Sequence, residues 1–171
     1  MAMWGHGQMI QWAAERPVVS SNYGHYTGEQ SFLDSFRFFA STDMAAAEAL
    51  LERRDVRFVL ITSEFDRNWP QIELALGTKL STAVRRESVG ARLLGDGRPP
   101  EFLRVVHISS LLDSRRAPPG AVPPMPAGFV CERVAGARLE AHGKPGDLLE
   151  LVVDLRAGDA RFRYAVSSRA D

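Results

Sequence analysis

The chain has 171 residues, enough for one domain or one domain with a small appendage. Its 45% hydrophobic and 25% charged residues are those of an ordinary globular protein. Twenty-one basic residues balance twenty-one acidic ones, so no global field draws in nucleic acid or anionic lipid.

No run approaches the roughly twenty apolar residues that a transmembrane helix needs. The longest apolar cluster, Phe58-Val59-Leu60-Ile61, is strand-sized. The start of the chain lacks the basic head and apolar run of a signal peptide. Cys131 is alone, which rules out an intrachain disulfide. Lys79 and Lys144 are the only lysines among many arginines, a bias that fits a GC-rich genome better than a phosphate site.

In chain order, Met3-Trp4-Gly5-His6-Gly7 reads as a tight turn, because glycines on both sides of a histidine free the backbone. Residues 7–15 read as a short amphipathic helix with Met9, Ile10 and Ala13 on one face. Pro17 pushes Arg16 toward extended backbone and ends it. Pro17-Val18-Val19 reads as a short buried strand, and residues 20–31 as a small-polar loop. Phe32, Leu33, Phe36, Phe38 and Phe39 are too apolar for solvent and should pack on the core.

Ser41-Thr42-Asp43 is a helix N-cap cluster. The helix after it, about Met44 to Arg54, ends on Arg53 and Arg54 as the helix dipole favours, and should bury Ala46, Ala49, Leu50 and Leu51. Val56 to Thr62 is a strand, expected central and buried on both faces. Residues 63–80 are a polar loop or short helix around Trp69-Pro70, and 81–94 a further helix. A turn at 95–100 leads to a strand from Phe102 to Ile108.

Residues 117–128 form a Pro-rich linker. Beyond it, Phe129–Val134, Leu148–Leu155 and Ala160–Val166 read as strands separated by Pro145-Gly146-Asp147 and Ala157-Gly158-Asp159 turns. The expected organisation is an α/β (α+β) core over 1–116, a linker over 117–128, and a small all-β module over 129–171. That module reads as truncated, since the chain stops where a further hairpin is due.

The order of pieces over residues 3–62 resembles the opening of the C-terminal domain of the STT3-type oligosaccharyltransferases. There, a Trp-Trp-Asp-Tyr-Gly signature precedes an aromatic-containing helix, a basic residue with a Val-rich strand, a small-polar loop, a Phe-rich segment and an Ala-rich helix before a hydrophobic strand. Here the pieces are Trp4 to Gly7, Gln8 to Trp12, Arg16 to Val19, Ser20 to Asn22, Phe32 to Phe39, Ala45 to Leu51 and Val56 to Thr62. Trp4 stands where the signature's second Trp stands and Gly7 where its Gly stands. Met3, Gly5 and His6 replace Trp, Asp and Tyr.

The resemblance implies an extracytoplasmic C-terminal domain of a multi-pass bacterial or archaeal membrane glycosyltransferase, which moves a glycan from a lipid-linked donor to an acceptor polypeptide. It makes Trp4, Gly5, His6 and Gly7 the acceptor-binding segment: an indole wall with one N–H donor, and an imidazole that can face a hydroxyl. In the family the Trp-Trp-Asp portion recognises the Ser or Thr two residues after the glycosylated Asn. Gly5 offers no such carboxylate, so either His6 substitutes in part or the acceptor differs.

The family's divalent metal sits with the membrane half, so no catalytic or metal-binding residue is expected in this chain, and the chain alone should be inactive. The family's Asp-x-x-Lys motif has no match, and Glu64-Phe65-Asp66-Arg67 reads as a surface ion pair. The module after the linker resembles Ig-like or transthyretin-like β-domains. Two alternatives stand beside this reading: a non-catalytic extracytoplasmic binding or adaptor domain, and part of a glycosyltransferase acting on lipid or polysaccharide. His25, His107 and His142 have no metal-ligand spacing.

Overall fold

A computed structural model describes residues 1–21, 28–94, 99–109, 112–113, 125–135, 144–157 and 160–169. Three helices come first: α1 (Trp4–Ala14), α2 (Glu29–Ala40) and α3 (Met44–Arg53). Strand β1 (Phe58–Thr62) runs into a 3-10 turn (Ser63–Asn68), then α4 (Trp69–Leu76), α5 (Thr82–Glu87) and α6 (Val89–Leu94). Strands β2 (Leu103–Ile108), β3 (Leu112–Asp113), β4 (Met125–Pro126), β5 (Gly128–Arg133), β6 (Leu148–Ala157) and β7 (Ala160–Arg169) follow.

The core sheet has the order β1-β5-β2 and is antiparallel throughout. Its middle strand is therefore β5, which arrives from beyond the Pro-rich segment. Phe58 faces Glu132 and Thr62 faces Gly128 across one side, while Leu103 faces Arg133 across the other. A bulge between Val105 and His107 shifts the register of β2. Two expectations change here. The strand near 56–62 is not central among the described strands, and the first strand of the expected β-module belongs to the core. Of the expected module's strands, β6 and β7 form a separate two-stranded sheet, pairing from Leu148↔Arg169 to Ala157↔Ala160. Much of the expected 117–128 linker lies outside the described residues. Within it, Met125 and Pro126 pair with Asp113 and Leu112.

The architecture is thus helices packed on a small antiparallel sheet. Strand β1 alternates rather than burying both faces: Val59 and Ile61 point into the core and Phe58 is 44% exposed. The Arg57 guanidinium lies 5.0 Å from the Phe58 ring centre and shields that exposed face. The free side of β1 is met by the start of the chain. The Leu60 N–H donates to the Met1 carbonyl at 2.8 Å, and the Met1 nitrogen donates to the Phe58 carbonyl. That is the pattern of a parallel bridge between Met1 and Val59, and it buries Met1, Ala2 and Met3.

The Phe-rich segment forms α2 and supplies the core, with Phe36, Phe38 and Phe39 fully buried. A chain of ring contacts runs Phe38–Phe39–Phe65–Trp69, with centroids 5.1, 5.4 and 5.2 Å apart. Gly90 of α6 is required by this chain, because a Cβ there would lie 2.2 Å from the Phe65 ring. Helix α3 starts as its sequence says: the Asp43 carboxylate accepts from the Ala46 N–H at 3.0 Å. It buries Ala47, Leu50 and Leu51, whereas Ala46 and Ala49 are exposed. The helix expected over 81–94 is two short ones broken at Ser88, whose hydroxyl accepts from the Ala91 N–H.

Two buried carboxylates tie the helices together. Asp34 on α2 is met by Arg54 and Arg37 at 2.8 and 3.1 Å, with Arg53 at 3.5 Å. Burial pushes the Asp34 carboxyl up, but the Arg54 and Arg37 hydrogen bonds outweigh it and hold it below its ordinary value. Glu73 on α4 accepts from the Leu80 N–H at 2.9 Å, from Arg85 at 2.5 Å and from Lys79 at 3.1 Å. With the Leu80 bond foremost, these contacts lower its pKa to about 2.

Candidate functional site

The Trp4–Gly7 segment is not a turn. It forms the first residues of α1, which starts at Trp4 and ends where Glu15 takes a left-handed conformation before Arg16-Pro17. The glycines, poor helix formers in isolation, are accommodated because each does a separate job. Gly7 is buried against the following segment: a Cβ there would lie 2.0 Å from the Ser20 carbonyl oxygen and 2.7 Å from Ser21 Cα. Only a glycine permits that approach. Gly5 has open space around it, with nothing within 4 Å of a Cβ.

His6 is half-buried at the end of β1. Its backbone N–H donates to the Met3 carbonyl at 3.0 Å, and its Nε2 lies 3.4 Å from the Thr62 hydroxyl, a long contact. Burial lowers its pKa from 6.5, while the nearby Glu64 charge pulls the other way. Burial thus favours the neutral imidazole at pH 7, in which one ring nitrogen donates and the other accepts. Thr62 and Glu64 were not singled out as site residues from the sequence. Their proximity follows from Met1 pairing with β1, which local patterning does not reveal.

Helix α1 presents a second feature that the sequence reading missed. Its outward positions Gly5, Gln8, Met9 and Trp12 line a shallow depression of about 250 Å³. Trp12 is 84% exposed and Met9 58%. The apolar face expected on this helix is thus not buried in the core. The helix is held at its beginning, by Met1–Met3 beside β1 and by Gly7 against Ser20–Ser21. The expected strand at 17–19 is absent: those residues are irregular.

Elsewhere the sequence-derived candidates do not converge. His107 is exposed on β2, and His25 and His142 lie outside the described residues. Arg67 and Glu64 form an exposed i,i+3 pair at 3.5 Å, as expected. Burial pushes the Cys131 thiol up to about 12, which leaves it inert. Among the described residues no three His, Cys, Asp or Glu side chains come together in a way that could hold a metal ion. Nor is any helix among them long and apolar enough to cross a membrane.

Comparison with known proteins gives the site its context. A family model, the AglB core domain, matches residues 1–66. No curated protein matches the chain. Among solved structures, two crystal structures of C-terminal globular domains of oligosaccharyltransferases from Archaeoglobus fulgidus are similar. One shares 15% identity over 78% of each chain with a TM-score of 0.57. The other shares 17% identity over 80% of this chain and 79% of that one, with a TM-score of 0.54. The archaeal oligosaccharyltransferase AglB of the same organism, solved with an inhibitory peptide and a dolichol-phosphate, superposes on 98% of this chain with a TM-score of 0.71 and 12% identity. This chain spans 31% of that protein's length. The resemblance read from Trp4 to Thr62 therefore stands: residues 1–66 match the AglB core-domain model, and the chain has the fold of the oligosaccharyltransferase C-terminal globular domains.

Proposed function

We propose that this chain is the extracytoplasmic C-terminal domain of a membrane oligosaccharyltransferase-like glycosyltransferase, and that it works on the acceptor side of glycan transfer from a lipid-linked donor to protein. The observation that carries the reading is the coincidence of a family match over residues 1–66 with a superposition of 98% of the chain on 31% of the archaeal enzyme. That enzyme was solved with a peptide and a dolichol-phosphate, the two chemistries such a transfer joins. On this reading the membrane-spanning part, the donor site and the divalent metal belong to the rest of the enzyme. The β6–β7 ribbon is the part left for an Ig-like or transthyretin-like module.

Trp4, Gly5, His6 and Gly7 are the acceptor-binding residues of the proposal, with different roles. Gly7 fixes the first turn of α1 against Ser20–Ser21, and so fixes where Trp4 and His6 stand. His6, neutral at pH 7, accepts from an acceptor hydroxyl in the place of the family's carboxylate. A neutral imidazole is a weaker acceptor than a carboxylate, so hydroxyl selection should be softer than in the family. That same loss of the carboxylate favours, as a second reading, an acceptor other than the Asn-x-Ser/Thr sequon.

The test uses the enzyme expressed from the whole reading frame. Trp4→Ala should lower acceptor use by about tenfold or more, since truncating an aromatic anchor typically removes at least about 2 kcal/mol. Donor-lipid binding should not change. His6→Ala should have a smaller effect that vanishes at acidic pH, where the imidazole is protonated and no longer accepts. Normal glycosylation by the Trp4→Ala enzyme would reduce the segment to a structural helix start.

A further inference from the structure

We infer that the outward face of α1, formed by Gly5, Gln8, Met9 and Trp12, is an acceptor subsite that takes one apolar side chain flanking the glycosylated residue. The inference rests on the acceptor-side reading above and extends it from the start of α1 along the helix. Four positions spaced i, i+3, i+4 and i+7 share one face of a helix, and here they line one depression. Gly5 provides its floor: with no side chain and nothing within 4 Å, the helix backbone itself is exposed there. Trp12 provides a flat wall and Met9 an adaptable one, and the two are 84% and 58% exposed. Gln8 supplies both a donor and an acceptor at the rim, which suits the main chain of a polypeptide.

Size and position narrow the occupant. At about 250 Å³ the depression falls below the roughly 300–1,000 Å³ that bury a drug-sized ligand. A depression of that size suits a single Leu- or Met-sized side chain. The depression is continuous with the acceptor segment because Gly5 belongs to both. Its backbone is held in place by the buried Met1–Met3 stretch and by Gly7, so the exposure of Trp12 and Met9 belongs to a fixed helix. A peptide, with its own N–H and C=O groups, gives Gln8 partners.

Two synthetic peptides test this. They carry the same acceptor residue and differ only by Leu or Gly at one flanking position, each flank being varied in turn, and turnover is measured with the enzyme from the whole reading frame. At one flank the unaltered enzyme should prefer Leu by about tenfold in kcat/KM, the usual selectivity of an apolar pocket, and Gly5→Leu and Trp12→Ala should each cut the preference to below about twofold. The melting temperature should not fall in either variant. Equal use of Leu and Gly peptides by the unaltered enzyme would overturn the subsite, and so would a preference that survives both substitutions. A drop in melting temperature for Trp12→Ala would also overturn it, by showing that the face packs on the rest of the enzyme. Trp4→Ala run alongside separates the two ideas. If it abolishes turnover while the Leu preference survives Gly5→Leu and Trp12→Ala, only the subsite fails. If it too is silent, the acceptor-side reading has failed.

Discussion

Helices α1 and α2 have similar lengths and both carry aromatic residues, yet they use them in opposite ways. Helix α2 turns Phe36, Phe38 and Phe39 inward until nothing of them is left in water. Helix α1 holds itself by backbone contacts at its start and leaves Met9 and Trp12 outside. An apolar residue in this chain therefore has two fates, and they divide stability from recognition. If the division is real, substitutions along Phe39–Phe65–Trp69 should change folding, while substitutions along Gly5–Met9–Trp12 should change only what the protein binds.

The largest effect should come from Phe65→Ala. The ring is fully buried between Phe39 and Trp69 and fills the space that Gly90 leaves. Its removal should cost about 3–5 kcal/mol in a denaturant titration. A loss under about 1 kcal/mol would mean the core collapses easily around the gap, and would break the comparison at its stronger end. Gly7→Ala should come next. The new methyl would meet backbone atoms of Ser20 and Ser21, which cannot swing aside as a side chain can. Overpacking of this kind typically costs about 1–3 kcal/mol. The same substitution should lower acceptor use, because the start of α1 shifts with it.

How far these regions could be read in advance differs for a physical reason. Helix α3 was legible because its signals are local: Asp43 caps it and Arg53 closes it. The Phe cluster and the Glu64–Arg67 pair were legible for the same reason. The sheet was not. Strand β5 inserts between β1 and β2 by pairing Phe58 with Glu132, and no local pattern encodes a partner that distant. The apolar run Phe58–Ile61 suggested burial on both faces, but the strand alternates and its Phe58 side is partly exposed. In α1 the error came from propensity. Gly5 and Gly7 read as a turn, and tertiary contacts overrode them. The identities of the candidate site were visible in Trp4 and Gly7, but the exposed Met9–Trp12 face needed the helix to be placed first.

A smaller effect should follow from acid. Glu73 is held at a pKa of about 2, first by the Leu80 N–H and then by Arg85, against an ordinary 4.5. A carboxyl depressed on folding contributes stability above its unfolded pKa and loses it as pH falls through the folded one. The contribution should therefore fade between pH 4.5 and about 2. In Glu73→Gln, the stability curve over that interval should be flatter than in the parent. An unchanged slope would assign the acid sensitivity to Asp34 or Glu132, whose carboxyls are also held low by arginines. Because Glu73 clasps α4 to α5 and lies apart from α1, acceptor use at neutral pH should follow folding alone.

The smallest effect is the most discriminating. Gly5→Ala places a methyl where nothing lies within 4 Å, in a helix that prefers alanine to glycine. Folding should therefore become more favourable, by at most about 0.5–1 kcal/mol and less than that so near the helix start. Gly7→Ala, two residues on and chemically identical, should have the opposite sign. The pair needs no assumption about substrate, since both are read by denaturant titration of one protein. The comparison sharpens when the same Gly5→Ala protein is assayed with acceptor. A methyl on the floor of the α1 depression should narrow it and weaken the preference for a large flanking side chain, even as stability rises. Gain of stability with loss of selectivity at one residue is what a binding surface held apart from the core should show. A stability loss at Gly5 as large as at Gly7 would mean that the outer face of α1 is packed, and the two fates of its apolar residues would be one.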